Sequence, residues 1–141
     1  MKLILNDCHG GYGLSPEAVL RISQLKGITL YPEDDDRFGG HTPSTYWLVP
    51  VEQRVQMLDQ EEWMGMTLEQ RLEHNAKHLS QIFNPRKIPR NDPHLVQVVE
   101  ELGDKANGRF AKLKVVEIDA SRPWFIDDST GKEQIVQENI E

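Results

Sequence analysis

The sequence predicts an α+β fold: a single domain in which a mixed β-sheet carries packed helices and ends in a C-terminal β-hairpin. Two stretches predict amphipathic helices, because a capping residue, Ser15 or Asp92, is followed by a proline and then by apolar residues on one face. Short apolar runs bounded by turn residues predict the strands, and two such runs around residues 127–132 predict the hairpin. The length fits one domain over residues 1–141.

Composition limits the class of protein and its partners. A mean hydropathy of -0.58 is typical of a globular protein, and no apolar run approaches the length of a membrane span. Met1-Lys2 leads directly into the first apolar run, so no signal peptide is predicted. Cys8 is the single cysteine, which excludes an internal disulfide and favours a reducing compartment. The formal charge of -7 argues against a nucleic-acid partner. We expect neither nucleic acid nor membrane as a partner.

The first strand, expected over residues 2–6, leads into a turn that contains Gly10, Gly11 and Gly13 and then enters a helix at Pro16. Such a turn is typical of a phosphate or nucleotide site, because glycine lets the backbone approach a ligand and free N–H groups at a helix N-terminus favour negative charge. The spacing alone favours a plain tight turn, because the dinucleotide and P-loop fingerprints are absent. We predict a positive φ at one or more of the three glycines.

The next part of the chain predicts alternating helix and strand around a long loop. In order, the predicted elements are a helix over 16–26 that ends at Gly27, a strand over 28–31, a loop over 32–45, and a strand over 46–49. The acidic run at 34–36 lacks the alternating spacing of a calcium site, so we interpret it as part of a solvated loop.

Two helices are predicted in the middle of the chain, over 51–58 and 67–83. Thr67 and Gln70 have the spacing of a capping box at the start of the second helix. His74 and His78 lie one turn apart there, so both rings could meet one metal ion. No clear third ligand is near in sequence, and the pattern is not that of a metalloprotease. We therefore favour a solvated or packed helix face and predict no metal site.

The last part of the chain contains the second capped helix. In order, the predicted elements are a connector over 84–91, a helix over 93–102 that ends at Gly103, a strand over 111–118, and a hairpin of 124–126 with 134–136. The strand over 111–118 has the strongest β propensity in the chain. We expect it to pair with the first strand, directly or through one intervening strand, with the two capped helices packed on that sheet.

Few residues have the pattern of a catalytic group. Cys8 and His9 are adjacent, but neighbouring side chains of an extended segment point in opposite directions, so a small buried cysteine is favoured over a nucleophile. Asp7 could act as a base, yet the spacing assigns it no partner carboxylate. We predict no catalytic residue and no cofactor, and the sequence leans away from an enzyme without excluding one.

The turn at residues 10–15 and the segment 90–92 are predicted to meet and to frame one pocket for an anionic ligand. Both lead into helix N-termini, which offer unpaired N–H groups and the positive end of the helix dipole. Arg90 would pair with the anion or form a surface ion pair, and Tyr12 would stack on a ring or fill the small core behind the turn. In the competing account, each segment only begins its own helix. The predicted ligand-binding residues are Asn6, Cys8, Gly10, Gly11, Tyr12, Gly13, Ser15, Arg90 and Asp92.

Residues 6–15, Asn-Asp-Cys-His-Gly-Gly-Tyr-Gly-Leu-Ser, resemble the opening of a family of small proteins encoded by tailed bacteriophages and prophages. Residues 88–103, which contain Arg-Asn-Asp-Pro-His-Leu-Val, are similar to the second signature of that family, and residues 106–118 continue the match. The resemblance implies a phage origin and a location in the host cytoplasm. Two features depart from the family: residues 59–81 are predicted as a helical insertion, and the usual tail with histidine and tryptophan is missing.

Two classes of function remain. In the first, the chain is a phage-encoded binding protein for a small nucleotide-like ligand, an anti-defence sponge that sequesters a host immune signalling nucleotide. In the second, it is a phage interaction protein that binds and blocks a host defence protein. A small hydrolase centred on Cys8, His9 and Asp7 is a third and weaker alternative. The sequence leaves the ligand, the host target and homo-oligomerisation open.

Overall fold

The computed structural model describes residues 1–35 and 42–137. Within them the α-helices are α1 (Pro16–Leu25), α2 (Gln60–Met64), α3 (Leu68–Ser80) and α4 (Pro93–Leu102). The β-strands are β1 (Lys2–Asn6), β2 (Tyr31–Asp35), β3 (Thr42–Trp47), β4 (Ile82–Phe83), β5 (Leu113–Glu117), β6 (Trp124–Asp127) and β7 (Gln134–Gln137). The α+β class is confirmed, as is the C-terminal hairpin of β6 and β7. None of these helices combines the length and the apolar composition needed to cross a membrane.

The chain divides into two compact units, which we name by their place in the sequence. The terminal unit consists of Met1–Gly27 and Pro85–Glu141, and the middle unit of Ile28–Asn84. The terminal unit therefore contains α1, α4, the β1-β5 pair and the hairpin. The middle unit contains α2, α3 and the strands β2 to β4, and the predicted helical insertion over 59–81 coincides with α2 and α3.

A two-stranded antiparallel sheet lies in the centre of the terminal unit. β1 pairs with β5 from Lys2 opposite Glu117 to Asn6 opposite Leu113, which confirms the predicted pairing of these two segments. α4 packs against both strands, and α1 packs against α4. The buried apolar residues of this unit are Leu3, Ile4, Leu5, Ala18, Val19, Ile22, Ile88, Leu95, Val96, Val98, Val99 and Ala106. This core fixes the ends of β1 and the starts of both helices.

Local capping places both helix starts where the sequence predicts them. The Ser15 hydroxyl accepts the backbone N–H of Ala18 at 3.1 Å, and the Asp92 carboxylate accepts two N–H groups of the first turn of α4. α4 ends where Gly103 adopts a φ of 56°, a left-handed conformation that favours glycine. The predicted bounds of α4 are confirmed, and those of α1 differ by one residue.

The middle unit contains a three-stranded antiparallel sheet in the order β2-β3-β4. Among its described residues, the buried apolar side chains are Tyr46 and Trp47, both on β3. Helix α3 begins with the predicted capping box of Thr67 and Gln70. It ends at Ser80, because the next residues leave the helix to pair with β3 as strand β4.

Several element predictions were wrong where pairing between distant segments decides the structure. The strands form three separate antiparallel sheets rather than one mixed sheet, since β1, β3 and β6 each have their own partners. β2 begins at Tyr31 and extends into the predicted loop, because pairing with β3 holds polar residues in an extended strand. For the same reason β3 spans Thr42–Trp47 rather than 46–49. Residues 36–41 of the loop, including Asp36 of the acidic run, lie outside the described residues.

The two helices predicted after β3 are both shorter than expected. The stretch 51–58 contains only a 3₁₀ turn at Val51–Gln53. A helix cannot continue there, because the backbone N–H of Val55 donates to the Gln81 side chain at 2.8 Å instead of to the preceding turn. The helix predicted over 67–83 is α3 without its last residues.

Candidate functional site

The glycine turn and the segment before α4 meet in the terminal unit, as predicted. The guanidinium carbon of Arg90 lies 3.5 Å from the centroid of the Tyr12 ring, which is cation–π geometry. Tyr12 is half-buried rather than exposed, because the guanidinium covers its ring. Tyr12 was predicted either to stack on a ring or to fill the small core behind the turn; its ring stacks on Arg90 instead.

Arg90 has a second partner that the sequence did not indicate. Its two terminal nitrogens donate to the two carboxylate oxygens of Glu133 at 2.5 and 2.9 Å, a bidentate ion pair. One of them also donates to the carbonyl of Ile4 at 3.2 Å. Both side chains of the pair are more than four-fifths buried. Arg90 was predicted either to pair with an anion or to form a surface ion pair; it forms an ion pair, and that pair is largely buried rather than at the surface.

Glu133 in turn holds the end of β1. Its carboxylate accepts the backbone N–H of Asn6 at 2.8 Å, and its own N–H donates to the Asn6 carbonyl at 3.1 Å. Burial raises the pKa of Glu133, but hydrogen bonds from Arg90 and from the Asn6 backbone outweigh this effect and hold the pKa below its ordinary value. Glu133 lies just before β7, 43 residues from Arg90, so no local pattern could have identified it.

The buried side chain of Asn6 organises the glycine turn from inside. Its amide nitrogen donates to the carbonyl of Gly10 at 2.6 Å, and its oxygen accepts the N–H of Lys112 at 2.9 Å. The Cys8 thiol donates to the same oxygen at 3.3 Å. Asn6 and Cys8 were predicted to contact a ligand. Both instead bond to each other, and Asn6 also bonds to Gly10 of the turn and to Lys112 just before β5.

Of the three glycines of the turn, close packing requires only Gly10, and backbone conformation requires none of them. Gly10, Gly11 and Gly13 all have ordinary φ values, so the prediction of a positive φ was wrong. A Cβ on Gly10 would instead collide with the carbonyl oxygen of Phe110, and a Cβ on Gly108 would lie 2.6 Å from the carbonyl carbon of Gly13. Gly11 differs, because a Cβ there meets no atom within 4 Å.

The Cys8, His9 and Asp7 group has no shared geometry that would support catalysis. Cys8 is half-buried rather than buried as predicted, and its thiol lies 3.2 Å from the carbonyl oxygen of Phe110. The imidazole of His9 packs against the turn of the hairpin, where it lies 2.8 Å from the place of a Cβ on Gly131. Asp7 forms an ion pair of 3.6 Å with Lys114. Each of the three side chains is directed to a different partner.

Both helix N-termini beside the turn are satisfied by their own caps. The Ser15 hydroxyl, besides capping α1, donates to the carbonyl of Lys105 at 2.6 Å. The second oxygen of Asp92 forms an ion pair of 2.6 Å with Lys26. Burial raises the pKa of Asp92, but Lys26 and the backbone N–H groups of α4 lower it further than burial raises it. This geometry favours the account in which each segment begins its own helix.

An open groove of the terminal unit lies elsewhere, beside the first turn of α4. Two of its lining residues, Lys2 and Glu100, form an ion pair of 3.1 Å. Its lining residues are Met1, Lys2, Asn91, Pro93, Val96, Gln97, Glu100 and Glu101. None of the nine predicted ligand-binding residues lines this groove.

One face of helix α3 packs on tryptophans of the middle unit. The His74 ring lies 6.2 Å from the Trp63 ring, and the His78 ring lies 5.5 Å from the Trp47 ring, both edge to face. Arg71 covers Trp63 and donates to its carbonyl at 3.1 Å. The two histidines thus have separate aromatic partners, which agrees with a packed face rather than with a shared metal ion.

A second face of α3 carries exposed leucines. Leu68, Leu72 and Leu79 keep 72%, 60% and 66% of their surface accessible, and we name these three residues the leucine stripe. Met64 of α2 is exposed to a similar extent. Large apolar side chains grouped on one helix face are typical of an interaction surface. The sequence had predicted this helix but not that its leucines remain exposed, because spacing alone does not show which face packs inward.

The acidic charge of the chain is concentrated in the middle unit. Residues 28–84 contain ten acidic and four basic residues, a formal charge of -6. The remaining residues contain 13 acidic and 12 basic residues, a formal charge of -1.

No family model, curated protein or solved structure matches this chain.

Proposed function

We propose that this chain is an interaction protein that binds a partner protein through its middle unit. The observation that carries the proposal is the leucine stripe. Helices in proteins are stabilised mainly by packing of an apolar face, and α3 leaves its leucines in water. A partner that covers the stripe would supply that packing. The predicted small-ligand residues, in contrast, already have internal partners, above all Arg90 with Glu133.

We further propose that the protein is phage-encoded and that its partner is a host defence protein, which it blocks by occupying a surface. The resemblance of residues 6–15 and 88–118 to tailed-phage proteins supports the origin. A location in the host cytoplasm follows from that origin. The different bonding partners of Cys8, His9 and Asp7 favour binding over turnover.

The test is affinity purification from host cells with three full-length baits. They are the wild type, the variant Leu68→Ser/Leu72→Ser, and the control Leu20→Ser. Leu20 is an exposed leucine of α1, so the control makes the same change outside the stripe. We expect one host protein that the wild type and the control retain and the stripe variant retains at least tenfold less. Equal retention by all three baits would contradict the proposal.

A second candidate function is binding of a small nucleotide-like ligand. The contact between Tyr12 of the glycine turn and Arg90 favours it. Such a ligand would have to bind beside Tyr12 and compete with Glu133 for the guanidinium. Titration calorimetry with cyclic and ADP-ribose-type nucleotides tests it, with Arg90→Ala and Gly11→Val as variants. Gly11→Val is informative because its side chain enters open space and would obstruct only a ligand. Absent binding, or binding that ignores both changes, removes this candidate.

A further inference from the structure

We infer that the surface recognised by the middle unit is a positively charged amphipathic helix of the partner protein. It packs along α3 on the leucine stripe, with its lysines or arginines beside Glu69 and Glu73. This inference rests on the proposed function and adds the chemistry of the partner. Three observations support it: the spacing of the stripe, the asymmetry of its flanks, and the charge of the unit.

The spacing on α3 is that of a helix that packs along another helix. Leu68, Leu72 and Leu79 lie four and seven residues apart, and the exposed Asn75 between them completes a four-three-four repeat. This repeat places all four side chains on one seam, as in coiled coils. With a rise of 1.5 Å per residue, the seam is about 16 Å long, so a partner helix of about three turns covers it.

The two flanks of the seam differ in their availability. On one flank Arg71, His74 and His78 are half-buried and already pack on the tryptophans of the middle unit. On the other flank Glu69 and Glu73 are exposed and lie one helical turn apart. Charged residues that flank such a seam decide which partner binds. The open flank carries the Glu69 carboxylate directly beside the seam, and Glu73 lies one turn along and further from the seam, so a partner with basic flanking residues is favoured.

The charge of the unit argues against other occupants of the stripe. A second copy of this chain would bring two middle units of charge -6 together, and like charges across an interface are unfavourable. An anionic membrane surface would be repelled for the same reason. A basic helix is attracted by the same charges and gains the apolar contact as well.

The direct test measures binding of model helices to the full-length protein by fluorescence anisotropy. The probe is a labelled amphipathic peptide with leucine at the seam positions and lysine elsewhere. Two control peptides have glutamate in place of lysine, or the leucine–lysine composition in scrambled order. We expect the leucine–lysine helix to bind at least tenfold tighter than either control. Leu68→Ser/Leu72→Ser should weaken it at least tenfold, and Leu20→Ser should leave it unchanged.

A charge variant separates this inference from the proposed function. Glu69→Gln/Glu73→Gln keeps the helix and the stripe, and we expect it to weaken the leucine–lysine helix at least threefold and to reduce the salt dependence of binding. Equal binding of the lysine and glutamate peptides, or no effect of the charge variant, overturns the inference. A stripe-dependent host partner that ignores the charge variant would overturn it while the proposed function stands. Sedimentation that shows a wild-type dimer and a monomeric stripe variant would assign the stripe to a second copy and overturn it too.

Discussion

The terminal unit and the middle unit stabilise themselves in different ways. Among the described residues, twelve of the 14 buried apolar side chains belong to the terminal unit and two to the middle unit. The middle unit is instead held by contacts around Trp47, which donates to Glu33 at 3.1 Å and is covered by Arg54. Where the structure describes burial, seven of the ten exposed large apolar residues lie in the middle unit. A chain can thus keep a stable core in one unit and leave apolar surface available in the other.

This difference has an electrostatic counterpart. The terminal unit is close to neutral, with charges of both signs engaged in pairs such as Arg90–Glu133 and Lys26–Asp92. The middle unit keeps an excess of negative charge beside its exposed leucines. Negative charge keeps such a surface soluble and selects against like-charged partners. The terminal unit thus combines a larger buried core with nearly balanced charge, whereas the middle unit combines exposed leucines with a negative charge.

The largest expected effect comes from one leucine-to-alanine change made in each unit. Leu95→Ala opens a cavity in the buried core and is expected to lower the free energy of unfolding by about 2–5 kcal/mol. Leu72→Ala removes an exposed side chain, and its effect is expected to stay within about 0.5 kcal/mol. Urea denaturation of both variants measures the difference. Equal losses would mean that the leucine stripe is packed, and they would contradict the difference in burial between the two units.

The second-largest loss of unfolding free energy is expected when Arg90, the buried cation of the terminal unit, is removed. Arg90→Ala leaves the Glu133 carboxylate buried without its partner, and we expect a loss of about 3 kcal/mol. The double variant Arg90→Met/Glu133→Leu replaces both charges with apolar groups and should recover part of that loss, because the Asn6 N–H and the Ile4 carbonyl still lose their side-chain partners. Denaturation midpoints of the two variants test this. If both lose the same stability, the ion pair is not the cause of the loss.

The pH dependence of stability should depend on Glu133. Its pKa is lowered in the folded protein, so its contribution is present above its unfolded-state pKa of about 4.3 and is lost as pH falls through the folded-state pKa. Glu133→Gln removes this titration and should make unfolding less sensitive to acid below about pH 4.3. Thermal unfolding of both proteins over a series of acidic buffers measures it. Parallel curves for the two proteins would contradict the assignment.

The smallest effects are expected from the helix caps, and they distinguish global from local stability. Ser15→Ala removes the cap of α1 and should lower the free energy of unfolding by about 1 kcal/mol. Thr67→Ala removes the capping box of α3 and should speed amide hydrogen exchange in α3 about fivefold. We expect no change in the protected amides of β1 and β5 with Thr67→Ala. Faster exchange there would show that the two units unfold together.

The sequence predicted those parts of the fold whose causes are local. Ser15-Pro16 and Asp92-Pro93 are complete helix-start signals, so α1 and α4 were found almost to the residue. β2 could not be predicted, because Pro32 and Glu33 adopt a strand only through pairing with β3. Local signals fail wherever a distant segment supplies the hydrogen-bond partner.

The candidate site was predictable to the same limited degree. Two helix N-termini in sequence indicated that the glycine turn and Arg90 would meet, and they do. The role of Glu133 could not be inferred, because the hairpin brings it to Arg90 from 43 residues away. The reason for Gly10 was also hidden, since its neighbour Phe110 is distant in sequence. The spacing of residues in the sequence shows which segments begin helices, but it does not show which charged side chains form ion pairs in the fold.

The outer edge of β1 is covered by two residues, Arg90 and Glu133, instead of by another strand. The N–H of Ile4 donates to the backbone carbonyl of Arg90, and the carbonyl of Ile4 accepts from the Arg90 guanidinium. The N–H of Asn6 donates to the Glu133 carboxylate, and the carbonyl of Asn6 accepts the backbone N–H of Glu133. Leu3, Ile4 and Leu5 make this strand a strongly apolar segment, and an uncovered apolar edge pairs readily with the same edge of another molecule. Loss of these hydrogen bonds would therefore expose the edge of β1 and favour aggregation of the protein as well as lower its stability. Arg90→Ala, or storage in strong acid, should yield thioflavin-positive aggregates seeded by the first strand.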